Sequence, residues 1–471
     1  MVVVRCAVAL VPQPTSPHAI IIEASRICMA TTLAPRVTSE PVQRSVRPWV
    51  WLFLNLPFGA TSGFVSVTLG FILKAQGLAD DKVAGLVALN LLPHTVKFFW
   101  APVADVTLSR KKWYVLANLA SCVAIFALAF VPIQISSLKL IGALIFVNSL
   151  AITFVGMAVE GLMAHGTPES ERGRAAGWFQ AGNLGGAGLA GAVGLVIADH
   201  VSTKAAFIVI AVALAACSFA LNWVPDAPAE DLGAGNALQR TRRAVVVVAK
   251  DIWFTIATRR GVVALILCFL PIGCAAATNL FGAIGDRWGA SADVVALSAG
   301  TLGGVASALG CIAGGWLSDS MRRAVAYAVS GLILAAVAVL WAIAPQNAVF
   351  YVIFTLTYSF GSGIAYACFT GFVLEIIGKG AAATKYNAFA SLSNIPITYV
   401  GLVLGWVSTK FGPVRMLWAD AGTEIAGIVV LLLVIAIIRP GRAAQAPGSA
   451  AGGPADLPAA VVVRAARSVD R

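Results

Sequence analysis

Residues 94 to 112 read HTVKFFWAPVADVTLSRKK and gather several charged side chains at the close of a long apolar run. His94 and Lys97 fall where lipid or packed protein belongs, Pro102 interrupts the run, Asp105 supplies one carboxylate, and Arg110, Lys111 and Lys112 follow. Groups of these types can pair with one another, hold an anion or exchange a proton. Lys97 precedes Asp105 by eight residues, which on a helix is about 12 Å, too deep for its ammonium to reach water easily. It is therefore either a counter-charge, for an anionic substrate or for a carboxylate that takes up protons, or one half of an ion pair that fixes its helix. The arrangement recurs in AGGWLSDSMRR, where Asp319 is followed by Arg322 and Arg323. Asp105 and Asp319 are 214 residues apart, Glu160 and Glu375 are 215 apart, and Asn183 and Asn394 are 211 apart, so one unit occurs twice.

The elements that carry these residues are hydrophobic helices. Of 471 residues, 59% are hydrophobic and 11% charged, against roughly 45–50% and 25% in soluble domains. Apolar runs long enough for a hydrocarbon core of about 30 Å recur along the chain, without the alternation of a β-barrel. The fold expected is all-α and polytopic: twelve transmembrane helices in two pseudo-symmetric six-helix bundles. The spans are 48–76, 82–104, 113–132, 138–162, 174–198, 204–224, 261–285, 291–317, 324–344, 347–377, 386–411 and 416–438. Residues 1–46 are expected to be a disordered cytoplasmic segment, 47–224 and 261–438 the bundles, 225–260 a cytoplasmic linker and 439–471 a disordered cytoplasmic tail. Met29 is a second candidate start, and a signal peptide in MVVVRCAVALVP is the competing reading of the first residues. With both termini inside, the inner loops carry twenty cations and the outer loops six, the bias expected of a multi-pass protein of a bacterial-type inner membrane.

The net charge of +12 is spread over short loop clusters, which argues against nucleic acid as a partner. Cysteines and the histidines His18, His94, His165 and His200 lack ligand spacing, so neither a metal nor another cofactor is expected. No HExxH, paired-aspartate or GxxxxGK[ST] motif appears, so an enzyme or an ATP-driven pump is not expected. Duplicated halves instead mark secondary transporters, with the solute held between the halves and access alternating by rocking. An acid followed by a basic turn suits a gate that forms when one side shuts, in which Asp105, Arg110 and Lys111 would pair across the bundle interface. The cations alternatively only fix topology. Glu160 and Glu375 end their spans where they could meet Arg172, Arg174, Arg322 or Lys385, as gate partners or as proton-coupling groups. Asp420 and Glu424 lie four apart on one face of span twelve, Glu424 near mid-membrane. GNLGGAGLAGAVG in span five and AGTLGGVASALGCIAGG in span eight offer small packing faces.

This 6+6 layout, with D-x(4)-R-K-K and D-x(2)-R-R in corresponding loops, resembles the major facilitator superfamily. KFFWAPVAD, TPESERGRAAG and ATKYNAFASLSN resemble the AmpG-type muropeptide permeases and the related acetyl-CoA and siderophore transporters. Lys97, Trp100, Pro102 and Asp105 match that family's KF-x-WAP-x-x-D, and Glu171, Arg172 and Gly173 its P-x-x-ERG. Two positions depart: Gly156 stands where the permeases carry a first span-four acid, with Glu160 at the second, and His165 replaces a later Asp. The resemblance implies a cavity lined by spans one, four, seven and ten, with Asn55, Phe58, Asn148, Gln180, Asn183, Asn279, Tyr358, Tyr366 and Asn394 as candidates, each of which could equally bond helix to helix. It makes span twelve a peripheral support helix. The function expected is proton-coupled import of a small polar or anionic solute by a monomer in the bilayer, with a proton-driven exporter of drugs or metabolites, or a non-transporting sensor, as alternatives.

Overall fold

The computed structural model describes residues 46–76, 85–86, 89–90, 92–94, 96–227, 243, 246, 250, 253, 262, 265–266, 268–377 and 382–438. The chain divides into two units, Met1–Ser45 and Val46–Arg471; the first lies outside the described residues, as do most of 225–260 and all of 439–471.

Ten described helices are long and apolar enough to cross a bilayer. They are span one (Val50–Leu73), span three (Arg110–Leu128), span four (Ile135–Gly166), span five (Glu169–His200), span six (Thr203–Trp223), span eight (Asp293–Ser320), span nine (Arg323–Ile343), span ten (Ala348–Glu375), span eleven (Lys385–Phe411) and span twelve (Pro413–Val434). Span two is described at its end, as Lys97–Phe99 and Ala101–Val106, and span seven as Ala276–Leu280, Phe281–Ile284 and Gly285–Trp288. No strand occurs among the described residues. The chain is an all-α polytopic membrane protein. Span three shows why such helices sit where they do: Leu116, Leu119, Val123 and Phe126 form one exposed apolar stripe, while Tyr114, Ala117, Ser121 and Ile125 are buried on the other face. The outward stripe suits lipid, and the inward one holds the polar atoms.

The neighbour pattern repeats. Span three packs on four and six, and span five on one and six; correspondingly span nine packs on ten and twelve, and span eleven on seven and twelve. Between the halves, span five lies against spans eight and ten, and span eleven against spans two and four. The five–eight seam is backbone against backbone. A Cβ at Gly177 would lie 2.5 Å from the Cys311 carbonyl oxygen, and one at Gly188 2.7 Å from Gly304 Cα. Only glycine allows that approach.

Several spans are not continuous α-helices. Span one passes through wider π-type turns at Phe64–Leu69, and span eight does the same at Ala296–Leu302. Span seven is interrupted around Pro271–Ala275, where Gly273 and Ala275 take φ of 64° and 50°. Such breaks are tolerated inside a membrane protein where other groups satisfy the freed backbone. One of those groups is a carboxylate of span twelve, described below.

Candidate functional site

The polar contacts between the halves gather at one end of the bundle, the end carrying the basic turns. Asp319 leaves span eight and its carboxylate accepts hydrogen bonds from the backbone N–H groups of Gly173 (2.7 Å) and Arg174 (2.9 Å), with Arg174 Nε at 3.2 Å. Those are orphan donors of span five's first turn, which Glu171 does not cap. Asp319 thus acts as an N-cap supplied by the other half, with its negative charge against the positive end of the helix dipole. Arg323 adds a bond to the Glu169 carbonyl (2.6 Å) and pairs with Asp319 (3.5 Å) and Glu375 (3.1 Å). Gly173 makes the cap possible, since a Cβ there would sit 2.5 Å from Asp319 Oδ1.

Deeper in, Lys97 Nζ lies 3.7 Å from Glu160 Oε1, and Asn387 of span eleven donates to Glu160 Oε2 at 2.6 Å. Lys97 is 9% and Glu160 2% exposed, so the pair is shielded from water and joins spans two, four and eleven. Beside it, Gln180 of span five donates to Thr370 of span ten (2.7 Å), which shares a bond with Tyr386 of span eleven (3.2 Å), while Asn183 donates to Gln180 (3.1 Å). Phe58 completes the layer: Lys97 lies over its ring at 5.4 Å and His94 meets it edge-on at 4.9 Å. That ring accounts for Gly156, because a Cβ there would be 3.0 Å from Phe58 Cδ2. Where the resembling permeases carry an acid, this chain has an aromatic side chain filling the space. Trp100 of the WAP motif donates to Thr153 of span four at 3.1 Å, and Pro102 sits in the first turn of the short helix Ala101–Val106 that carries Asp105. The Asn387–Glu160 and Gln180–Thr370 hydrogen bonds cross between the halves, whereas the Lys97–Glu160 pair and the Asn183–Gln180 bond lie within the first half and the Thr370–Tyr386 bond within the second.

A family model described as the Major Facilitator Superfamily matches residues 51–398. The chain belongs to the major facilitator superfamily. No curated protein sequence matches it. Solved superfamily structures match its fold: the E. coli fucose:proton symporter FucP in its outward conformation (TM-score 0.61, 16% identity, covering 82% of this chain and 99% of that one); the proton:xylose symporter XylE (0.59, 14%, 82% and 94%); and the human organic anion transporter MFSD10 (0.58, 14%, 83% and 100%). At such identities the likeness is one of fold.

Within this superfamily architecture the remaining candidates separate. Asp105 is paired with Arg110 of its own turn at 2.6 Å, and Arg110 also donates to the Ala104 carbonyl. That pair lies within one turn of the chain. The turn is covered by the start of the linker: Arg110 N donates to the Ala227 carbonyl and Lys111 N to Asp226 Oδ1. Arg172 is half-buried and Arg322 exposed. Glu160 does not meet Arg172, Arg174 or Arg322 as expected; it lies deeper, with Lys97. Asn55 donates to the Phe179 carbonyl (2.9 Å) and Asn148 accepts from Ser121 (2.6 Å), both bonds between helices. Tyr358 donates to Asp420 (2.8 Å). Asn279 and Asn394 are exposed, and Tyr366 lines a small cleft with Asn394. Sequence reasoning missed Asn387, Thr370 and Tyr386. Two of them stand in ATKYNAFASLSN, a segment that invited attention to its polar residues as well as to its resemblance.

Proposed function

We propose that this chain is a secondary active transporter that imports a small polar or anionic solute in symport with protons, by alternating access, across a bacterial-type inner membrane. The observation that carries the reading is the Lys97–Glu160–Asn387 bridge, in which Glu160, paired with Lys97 inside the first half, is joined to the second half by the neutral donor Asn387. Such a bridge holds one end shut and re-forms without repacking a hydrophobic core. The cation bias of the loops makes that end cytoplasmic, so the conformation described is closed to the inside. Proton coupling is supported by the likeness in fold to the proton symporters FucP and XylE and by the lack of a nucleotide-binding motif in the sequence. Lys97, over the Phe58 ring, favours an anionic or polar solute over a lipophilic cation. The chemical range consistent with the motifs is a muropeptide, an iron-loaded siderophore or an acyl-CoA.

The test is uptake into right-side-out and inverted vesicles driven by an imposed proton gradient, with labelled anhydro-muropeptides, iron-loaded siderophores and acyl-CoA. Uptake of one class into right-side-out vesicles that collapses with a protonophore is the expected result. Accumulation of hydrophobic dyes in inverted vesicles, with no uptake of any of the three, would make the protein an exporter.

A further inference from the structure

Span twelve, expected to be peripheral, buries two carboxylates. Asp420 and Glu424 are both fully buried and stand one helical turn apart on the same face. Asp420 Oδ2 accepts from the Tyr358 hydroxyl of span ten at 2.8 Å, and Glu424 Oε2 accepts from the Gly273 N–H of span seven at 2.7 Å. The second oxygen of each, Asp420 Oδ1 and Glu424 Oε1, is buried with no hydrogen-bond partner. The titratable groups facing the pair are Cys274 of span seven, Tyr327 of span nine, Tyr358 of span ten and Tyr399 of span eleven. No Lys, Arg or His among the described residues forms an ion pair with either acid.

Two ionised carboxylates one turn apart, buried in a membrane protein with no counter-cation, repel each other and each forfeits its hydration. At least one must be neutral, and the two oxygens lacking a donor are where a proton would reside. A resident metal would need more ligands; no described cluster of three or more His, Cys, Asp or Glu is placed to hold one. Gly273 offers its N–H to Glu424 because span seven is broken there, with φ of 64° at Gly273 and 50° at Ala275. Tyr327 ties the same break from span nine by donating to the Ile272 carbonyl. A cleft of about 30 Å³ lies beside Gly273 and Cys274, lined also by Tyr366 and the exposed Asn394. It is large enough for a water molecule.

We propose that Asp420 and Glu424 form a proton-binding site whose state of protonation controls the break in span seven. Proton uptake converts one carboxylate to the acid with no other bond made or broken. A charged Glu424 holds the Gly273 amide by a charge-assisted bond, and a neutral one holds it more weakly. The site stands on these contacts alone; its use in transport rests on the proton-symport reading above.

The test is infrared difference spectroscopy of the full chain in liposomes across a pH titration, together with hydrogen exchange of the peptide spanning residues 270–280, corrected for intrinsic rates. Expected is a protonated-carboxyl carbonyl band at neutral pH that loses intensity in Asp420→Asn or Glu424→Gln, with residual pH dependence of exchange in the parent that disappears in the double variant. These near-isosteric amides preserve shape, and retention of the parent's melting profile checks folding. A carboxyl band of equal intensity in the parent and both variants would overturn the site. Exchange with identical pH dependence in parent and double variant would overturn its link to span seven. If the band behaves as expected but solute uptake ignores the proton gradient, the site stands and the symport reading fails.

Discussion

Asp319→Asn is the substitution that isolates the latch between the halves. The amide keeps one acceptor oxygen, so one of the two backbone bonds to Gly173 and Arg174 survives while the negative charge at the start of span five is lost. A hydrogen bond from a charged acceptor contributes about 1.5–3 kcal/mol and a neutral one about 0.5–1.5; a charge at a partly buried helix terminus contributes about 0.3–2 kcal/mol. The Asp319 side chain is 11% exposed, but Arg174 is 39% exposed, so its ion pair is screened and adds little. The closed end should lose about 2 kcal/mol, a shift of roughly thirtyfold toward the open form. Spin labels at Arg172→Cys and Arg322→Cys, in a background with the eight native cysteines replaced by alanine, report the separation of the two halves at this end. The expected result is a second, longer distance population that grows in the variant. Asp199→Asn, an exposed acid beside His200 outside the latch, serves as control and should leave the distribution unchanged. Equal populations in Asp319→Asn and the parent would refute the assignment of this capping contact as a latch.

The buried pair predicts non-additivity: Lys97→Met or Glu160→Gln alone should lower stability in a denaturant titration, by about 3–5 kcal/mol for the variant that leaves a bare charge, and the double variant should recover a large part of that loss. Gly173→Ala should mimic the Asp319 variant in the spin-label measurement, since its Cβ meets the carboxylate at 2.5 Å, whereas Gly401→Ala, with nothing within 4 Å, should not. Asn55→Leu and Asn148→Leu remove helix-to-helix bonds worth on average about 0.6 kcal/mol in a membrane; each should reduce the melting temperature slightly and leave solute affinity unchanged, and a large change in apparent KM would instead put that residue in the cavity.

The fold was largely legible because membrane crossing imposes a length and a polarity on each segment, and ten of the twelve spans are described where hydropathy puts them. The duplication was legible too, through Asp105 and Asp319. Their roles differ for a reason that spacing cannot reveal: Asp319 reaches across to an uncapped helix start, whereas the described ion pair of Asp105 is with Arg110 five residues on. The partnership of Glu160 with Asn387 spans 227 residues, a separation at which only the packed fold decides who meets whom. The break in span seven did leave a trace, since Pro271 and Gly273 interrupt an apolar run; its hydropathy alone reads as continuous.

The seam between spans five and eight has a thermodynamic corollary. Glycines have no side-chain torsions to freeze, so bringing Gly177 and Gly188 against Cys311 and Gly304 orders almost no rotamers. The entropy lost on closing this seam is small, and the balance between open and closed ends falls to a few charges near the aqueous boundary. At 0.1 M salt, interactions between exposed charges more than about 10 Å apart are largely screened, whereas partly buried contacts as close as those of Asp319 are screened much less. The resting conformation is therefore set by short, partly shielded contacts that salt weakens only modestly.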